Sequence, residues 1–183
     1  RQARTTVDIV GRPVTQTITG IDPVNFNYDA RGRLAAITQG SAGSQRTTQM
    51  AYNTQGYLSQ VTDPLGRAIA YAYDLAGRVT QETSPDGRQI NYAYDPNGNL
   101  TSLTPPGRPA HQFTYTPINL TEDYIAPSVG TGTTTNYLYN LDKQLIRVTR
   151  PDAQMLSLDY DTAGRLSTMT SPRGITTYNY SAV

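Results

Sequence analysis

The side chain best suited to acid–base chemistry in this sequence is its single histidine, His111. A catalytic histidine usually works with a nucleophile or with a second titratable group held beside it. The sequence contains no cysteine and no second histidine that could complete such a pair. His111 also stands two residues before Phe113 and four before Tyr115, on the same face of a predicted strand. We therefore interpret His111 as a structural residue and predict no catalytic residue.

Recurring aspartates could supply carboxylates to a calcium ion. The series consists of Asp29, Asp74, Asp95 and Asp161. Each is followed three residues later by glycine, the spacing of a turn in which aspartate bonds its own backbone. Neither an EF-hand loop nor a glycine-rich nonapeptide is present. The series therefore predicts turn caps, with no metal site and no cofactor.

Recurring arginines could grip an anionic ligand. The series consists of Arg12, Arg33, Arg78 and Arg165. The net charge is only +1, which does not indicate a nucleic-acid partner, and we expect the arginines to form cross-strand pairs and to stack on tyrosine. Gly130-Thr131-Gly132 lacks the residues that complete a phosphate loop and is predicted to be a loop tip.

These residues belong to a repeat whose clearest copy runs from Tyr73 to Tyr94. Counting the tyrosine as position zero, Asp occupies plus one, Gly plus four, Arg plus five and a leucine or valine plus six. Successive zero positions lie 20 to 24 residues apart, and three consecutive units of 21 residues begin at Tyr52. The zero positions after a worn copy at Val7 are Tyr28, Tyr52, Tyr73, Tyr94, Tyr115, Tyr139, Tyr160 and Tyr180. The plus-four glycines are Gly32, Gly56, Gly77, Gly98 and Gly164. A period this steady predicts a repeat architecture, and we take these residues as its structural positions.

Each unit has two turn signals, which predict two strands per unit. Asp74-Leu75-Ala76-Gly77 is typical of the first turn and Ser84-Pro85-Asp86-Gly87 of the second. Asp63-Pro64-Leu65-Gly66 belongs to the second kind, and the glycines should have positive φ. The strand before Tyr73 alternates Ile69 and Tyr71 with alanines, so one face should be filled and its tyrosines buried. We predict an all-β fold of antiparallel β-hairpin repeats of about 21 residues.

The units differ in length and quality along the chain. Residues 1–27 are predicted to be a degenerate N-terminal repeat, 28–180 the repeat array, and 181–183 the truncated end of the array. Two second turns are three residues longer, at Gln39 to Ser44 and at Ala126 to Thr135, and should decorate the same edge. Asn119 takes a glycine place, which the left-handed conformation tolerates, whereas Lys143 is a misfit at another.

The phrases Y-D-L-A-G-R-V-T, Y-D-P-N-G-N-L-T and Y-D-T-A-G-R-L-S, each with a Pro-Gly turn after it, resemble the YD repeats of the Rhs family. That family includes bacterial Rhs toxins, the C components of insecticidal toxin complexes and teneurins. The resemblance implies a curved, spiralling sheet that forms part of a hollow shell, and in bacterial members the shell encloses a toxin. The aspartyl self-cleavage segment and the variable toxin of those proteins are not found in this sequence.

The resemblance implies a non-enzymatic structural segment that encloses and shields a polypeptide toxin for delivery by a secreted or cell-surface bacterial protein. The alternative is an extracellular adhesive or glycan-binding module with exposed Tyr and Arg rows. Expected partners are the enclosed toxin polypeptide or neighbouring repeats, and the terminal strand edges could self-associate. No apolar run reaches the roughly 20 residues of a membrane helix, so no membrane insertion is expected, and no signal segment is visible.

Overall fold

The computed structural model describes residues 2–41, 43–128 and 132–181. The fold is all-β, as predicted, and the described residues form 17 strands with antiparallel pairing. No helix that could cross a bilayer is found among the described residues.

The chain divides into two units, Arg1–Ile90 and Asn91–Val183. The first contains β1 (Ala3–Val7), β2 (Pro13–Ile18), β3 (Ile21–Tyr28), β4 (Leu34–Gln39), β5 (Arg46–Tyr52), β6 (Leu58–Thr62), β7 (Ala68–Tyr73) and β8 (Val79–Thr83). The strand β9 (Gln89–Tyr94) begins just before the second unit. That unit continues with β10 (Leu100–Thr104), β11 (His111–Tyr115), β12 (Thr121–Ile125), β13 (Thr134–Tyr139), β14 (Leu145–Thr149), β15 (Met155–Tyr160), β16 (Leu166–Ser171) and β17 (Gly174–Thr177). Consecutive strands pair from β1 to β8 in the first unit and from β9 to β17 in the second.

A β-bulge recurs where a strand leaves each Tyr–Asp turn. Tyr73 pairs with Val79 and Ala72 with Gln81, so Thr80 has no partner of its own. The other hairpins that close on this turn have the same register shift. The extra residue reverses the side-chain alternation, so positions plus six and plus nine lie on the same face. The bulge explains why the apolar residues at plus six and plus nine are three residues apart yet share a face. In a regular strand, only residues two apart share a face.

The two faces of the paired strands differ in chemistry. The face that carries positions zero, plus six and plus nine is called the tyrosine face below. On the opposite face small polar side chains bond across strands, for example Thr38 Oγ1 to Thr47 Oγ1 at 3.0 Å and Thr15 Oγ1 to Asn25 Oδ1 at 3.1 Å.

The prediction that the tyrosines are buried is wrong. Among the described residues no hydrophobic side chain is fully buried. Tyr73 is half-buried and Tyr180 is 46% exposed. The reason is that a ring on the tyrosine face is covered by side chains of adjacent strands, which leave its outer part in solvent.

The longer second turns follow β4 and β12; the first keeps its expected length but lies one residue later, and the second is two residues shorter than expected. Gln39 ends β4, while Thr134 and Thr135 already belong to β13. The second loop closes through Ala126 N–H, which donates to the Thr133 carbonyl at 2.9 Å. Both loops lie at the hairpin ends opposite the Tyr–Asp turns. Gly130 and Thr131 of the predicted loop tip lie outside the described residues.

Candidate functional site: a clamp between successive repeats

Aspartate at plus one organises the Tyr–Asp turn with both of its carboxylate oxygens. Asp74 Oδ1 accepts the amide N–H groups of Ala76 at 2.9 Å and Arg78 at 3.0 Å. Its Oδ2 accepts the Nε–H of Arg78 at 2.7 Å. The backbone closes the same turn, because Gly77 N–H donates to the Asp74 carbonyl at 3.1 Å. The carboxylate therefore holds both the turn and the arginine.

These hydrogen bonds lower the pKa of the turn aspartates below the ordinary value. For Asp74 the backbone amide of Arg78 is the largest cause, and the Arg78 side chain adds to it. For Asp63, in a Pro-Gly turn, the Arg67 side chain contributes most. Hydrogen bonds that favour the ionised form outweigh the partial desolvation, which acts in the opposite direction.

The described ion pairs of the plus-five arginines lie within their own turns, not across strands as predicted. Arg33 binds Asp29 in its own turn, with Nη2 2.7 Å from Oδ2. The plane of its guanidinium then lies over the Tyr52 ring of the next unit, 4.1 Å from the centroid. The ion pair is local because the turn brings plus one and plus five together, and this leaves the guanidinium face free to stack. The predicted stacking on tyrosine is therefore present.

The same stacking recurs in other units, and one unit replaces the cation with a ring. Arg12 lies 4.5 Å from the Tyr28 centroid and Arg165 lies 4.3 Å from that of Tyr180. In the unit that starts at Tyr52 the plus-five residue is Tyr57, and it stacks on Tyr73 with centroids 5.1 Å apart. Aromatic rings and guanidinium groups both pack favourably on a tyrosine face.

In six units the hydroxyl of the zero-position tyrosine reaches back to the preceding unit. Tyr73 Oη donates to the Leu58 carbonyl at 2.6 Å. Leu58 is the plus-six residue of the unit before, next to the bulge. The same bond joins Tyr28 to Pro13, Tyr52 to Leu34, Tyr115 to Leu100, Tyr160 to Leu145 and Tyr180 to Leu166. Sequence reasoning did not find this bond, because a tyrosine hydroxyl leaves no spacing signal for a backbone acceptor.

The plus-four glycine meets two requirements at once. Gly77 and Gly98 have φ of 78° and 95°, the left-handed values that the predicted turn needs. A β-carbon on Gly77 would stand 2.5 Å from Tyr57 Oη, and one on Gly32 would stand 2.6 Å from Arg12 Nη1. A β-carbon on Gly164 would stand 3.3 Å from Gln144 Nε2, which is still tight, whereas one on Gly56 would stand 3.5 Å from Arg33 Nη1, an ordinary contact distance. The glycine thus makes room for the plus-five side chain of the unit before.

We call this set of contacts the clamp. In it, the side chain at plus five of one unit lies over the zero-position ring of the next unit and beside the plus-four residue of that same unit. Where a unit lacks glycine at plus four, the unit before it lacks arginine at plus five. Asn119 has φ 63°, and the plus-five residue opposite it is Asn99, whose Nδ2 donates to Asn119 Oδ1 at 2.8 Å. Lys143 also has φ 63°, so this lysine adopts the left-handed turn conformation although it is a misfit by residue type. The plus-five residue of the unit before it is Leu120. This pairing across units is visible in the sequence once the clamp is known.

His111 lies on the tyrosine face and is bonded there. Its Nδ1 is 2.7 Å from Tyr124 Oη, and the two rings stack with centroids 5.9 Å apart. Phe113 lies against the same Tyr124 ring, 5.4 Å from its centroid. The surroundings of His111 are those of a packed structural side chain.

Partial burial also changes the pKa of three zero-position tyrosines. Desolvation raises the pKa of Tyr73, Tyr115 and Tyr139 above the ordinary value, with smaller contributions from Tyr71, Asp95 and Tyr137 respectively. These hydroxyls are therefore protonated at neutral pH and can act as hydrogen-bond donors. Across residues 2–41, 43–128 and 132–181 no group of three or more His, Asp or Glu residues could hold a metal ion.

Fold and clamp together define a β-repeat protein in which hairpins are joined by tyrosine contacts. The model of the family described as Teneurin YD-shell matches residues 3–183, and the chain belongs to that family. The role of this family is structural, and the predicted relationship to YD-repeat proteins is confirmed.

Solved structures of similar fold include TcdB2-TccC3 complexes and a Tc holotoxin pore. A crystal structure of TcdB2-TccC3-Cdc42 has a TM-score of 0.65 and 16% sequence identity, over 92% of this chain and 12% of that one. A Tc holotoxin pore from Photorhabdus luminescens, with a mutation in TccC3, gives the same four values. A TcdB2-TccC3-TEV crystal structure has a TM-score of 0.55 and 16% identity, over 93% of this chain and 11% of that one. This chain therefore spans about an eighth of the length of those chains. No curated protein matches the sequence.

Proposed function

We propose that this chain is a segment of shell wall that encloses and shields a polypeptide toxin for delivery. The family is a structural shell, and one solved structure of similar fold is a holotoxin pore by name. The same proposal makes the segment non-enzymatic and the full-length protein secreted or displayed at the cell surface, with the enclosed polypeptide and neighbouring repeats as its partners.

The observation that carries the proposal is the clamp. In the repeat from Tyr28, Asp29 and Arg33 are used inside the turn, and Arg33 reaches Tyr52 of the next unit. The charged side chains that could do chemistry therefore stabilise the turn and join one hairpin to the next. A wall that must exclude proteases and solvent from its contents needs this continuity between neighbours, since a single unit of about 21 residues cannot fold alone.

Domain organisation follows from the same repeat. We propose that residues 1–27 form a degenerate N-terminal repeat, residues 28–180 the array and residues 181–183 the truncated end of the array. The clamp contacts already join the first repeat to the array, because Tyr28 Oη donates to the Pro13 carbonyl and Arg12 covers the Tyr28 ring.

Limited proteolysis of the full-length protein tests the shell function. The enclosed polypeptide should resist trypsin in the wild type and become cleavable when Gly32→Ala and Gly77→Ala weaken two clamps. The matched control is Gly66→Ala with Gly87→Ala, whose φ values are 79° and 80° but whose β-carbons would meet nothing within 4 Å. A wild-type protein in which no segment is protected would exclude the shell function.

A second candidate is an extracellular adhesive or glycan-binding module. It is favoured by one observation, the partial exposure of the tyrosine face, where Tyr57 is 38% exposed and Tyr180 46%. A glycan array probed with the 183-residue chain separates the two functions. Specific retention that is lost in Tyr57→Ala, together with no protected polypeptide in the proteolysis experiment, would favour the adhesive function.

We also propose that terminal strands can recruit a further strand. All five residues of β1 are exposed, and among the described strands β1 pairs with β2 alone. Unpaired backbone N–H and C=O groups at such an edge favour strand addition. Light scattering over a concentration series of the 183-residue chain should show self-association, and a monomer at every concentration would contradict it.

A further inference from the structure

The unit that starts at Tyr115 departs from the repeat at three successive positions. Asn119 replaces glycine, Leu120 replaces arginine and Thr121 replaces the apolar residue at plus six. The plus-six residues of the other units are Pro13, Leu34, Leu58, Val79, Leu100, Leu145 and Leu166. Thr121 is smaller and more polar than the leucine typical of that position, so the tyrosine face loses apolar volume there.

A cleft of about 600 Å³ opens at this place on the tyrosine face, within the second unit. It is lined by Thr121 and Leu145 together with five aromatic rings. The rings are Phe113, Tyr115, Tyr124, Tyr137 and Tyr139. The volume is in the range of small-molecule binding clefts, which are mostly apolar and carry a few polar groups.

The polar groups of the cleft are hydroxyls, and no charged side chain lines it. Tyr137, Tyr139 and Thr121 make no side-chain hydrogen bond within the described part of the chain, and none of their oxygens is a buried atom without a partner. The cleft therefore presents a cluster of ring surfaces and free hydroxyls, without a carboxylate, amide or guanidinium that would bind the several hydroxyls of a sugar.

Aromatic ring faces have negative electrostatic potential and attract organic cations, most of all where the cation is weakly hydrated. The chain uses this chemistry itself, since the guanidinium groups of Arg12, Arg33 and Arg165 lie 4.1 to 4.5 Å from tyrosine centroids. At Tyr139 the clamp supplies Leu120 in place of arginine, so the chain brings no guanidinium to that ring. The cleft therefore has tyrosine rings like those of the clamp, but the chain places no arginine guanidinium on the ring of Tyr139.

We propose that this cleft binds an organic cation, a guanidinium or quaternary ammonium group. The cation is either a free small molecule or a side chain on a polypeptide, since both present the same chemistry to the rings. The experiment below separates these two sources.

Ring resonances of ¹³C-labelled tyrosine in the 183-residue chain report on binding. We expect tetramethylammonium chloride to shift a subset of them with an apparent Kd on the order of 1 mM. The neutral isostere tert-butanol, which has nearly the size and shape of tetramethylammonium, should bind at least tenfold more weakly. The tripeptide Gly-Arg-Gly, compared with Gly-Gln-Gly, tests a side-chain source, and tighter binding than that of tetramethylammonium would assign the site to a polypeptide.

Two variants locate the site. Thr121→Leu places at plus six the leucine that other units have there, at Leu100 and Leu145, so the variant should fold. The larger side chain should fill the cleft and reduce the affinity for the cation at least tenfold. Its matched control is Thr162→Leu, at an exposed turn position where Leu75 and Leu141 stand in other units. Thr162→Leu should bind like the wild type.

The second locating variant combines Leu120→Arg with Lys143→Gly, because glycine at plus four makes room for the plus-five side chain and Lys143 already has φ 63°. It returns the clamp guanidinium to Tyr139 and should compete with the added cation, which keeps the test decisive if Thr121→Leu misfolds. Equal binding of the neutral isostere, unchanged affinity in both variants, or shifts caused by glucose and galactose in place of the cations would overturn the proposal.

Discussion

The phenol oxygen of Tyr57 lies 2.5 Å from the point where a β-carbon would stand on Gly77. Tyr57 ends one Tyr–Asp turn and Gly77 closes the next, so the two units meet with no room for a side chain between them. The ring of Tyr57 continues over Tyr73, with which it stacks. Position plus four is therefore restricted by its neighbour as well as by its own backbone.

Gly77→Ala should destabilise the chain more than Gly66→Ala. The two glycines have φ of 78° and 79°, so the backbone strain is matched at about 1 kcal/mol. Only Gly77 has a neighbour in the way, and overpacking adds about 1 to 3 kcal/mol. Urea unfolding followed by circular dichroism measures the difference. Tyr57→Asn should remove most of it, as Asn99 does opposite Asn119, and equal costs at the two sites would contradict the clamp.

Tyr73→Phe should lower the free energy of unfolding by about 1 kcal/mol, because it removes the hydrogen bond to the Leu58 carbonyl. Tyr71→Phe is the matched control, since Tyr71 lies on the same strand and its hydroxyl has no hydrogen-bond partner among the described residues. The control should change stability by less than about 0.5 kcal/mol. Similar losses in both variants would mean that the bond to Leu58 contributes nothing specific.

Arg33→Ala should destabilise the chain more than Arg67→Ala. Both arginines bind the aspartate four residues earlier, with N–O distances of 2.7 and 2.6 Å. Arg67 is 64% exposed and covers no ring, so its removal should cost about 0.5 kcal/mol or less. Arg33 is 27% exposed and lies over Tyr52, which should add about 1 kcal/mol that persists at high salt. Thermal unfolding at two salt concentrations separates the contributions, and a difference that disappears in high salt would argue against stacking.

Acid should destabilise the folded chain through the turn aspartates. The pKa values of Asp8, Asp29, Asp74 and Asp161 are lowered, mainly by backbone amide hydrogen bonds. A group with a lowered folded pKa stabilises the fold above its unfolded pKa, and this contribution is lost as pH falls through the folded value. The free energy of unfolding should therefore be level from about pH 7 to pH 5 and should fall below about pH 4.

Asp74→Asn is the matched variant for this pH dependence. Asparagine can keep the turn cap, because Asn53 Oδ1 accepts the Tyr57 amide N–H at 2.9 Å in the unit before. The variant should fold, and its stability should depend less on pH below about pH 4 than that of the wild type. An increase in stability on acidification would contradict the role given to the carboxylates.

Much of the fold could be predicted from spacing alone. The alternation of Ile69, Tyr71 and Tyr73 and the Asp-x-x-Gly turns led to antiparallel hairpins, because strand period and turn chemistry are local properties. The left-handed glycines could be predicted for the same reason. Burial could not be predicted, since it depends on what covers a face, and the rings proved to be half-exposed.

The candidate site divides in the same way between sequence and tertiary structure. The residue types of the clamp and their repeat positions were determined by the sequence, because each turn is built from residues close together in the chain. The partners were decided by the tertiary structure: Arg33 binds Asp29 yet covers Tyr52, and Tyr73 reaches the Leu58 carbonyl. These contacts depend on the bulge, which places plus six and plus nine on one face and aligns each tyrosine with the unit before it. A bulge is set by the pairing of two strands, so neither strand specifies it alone.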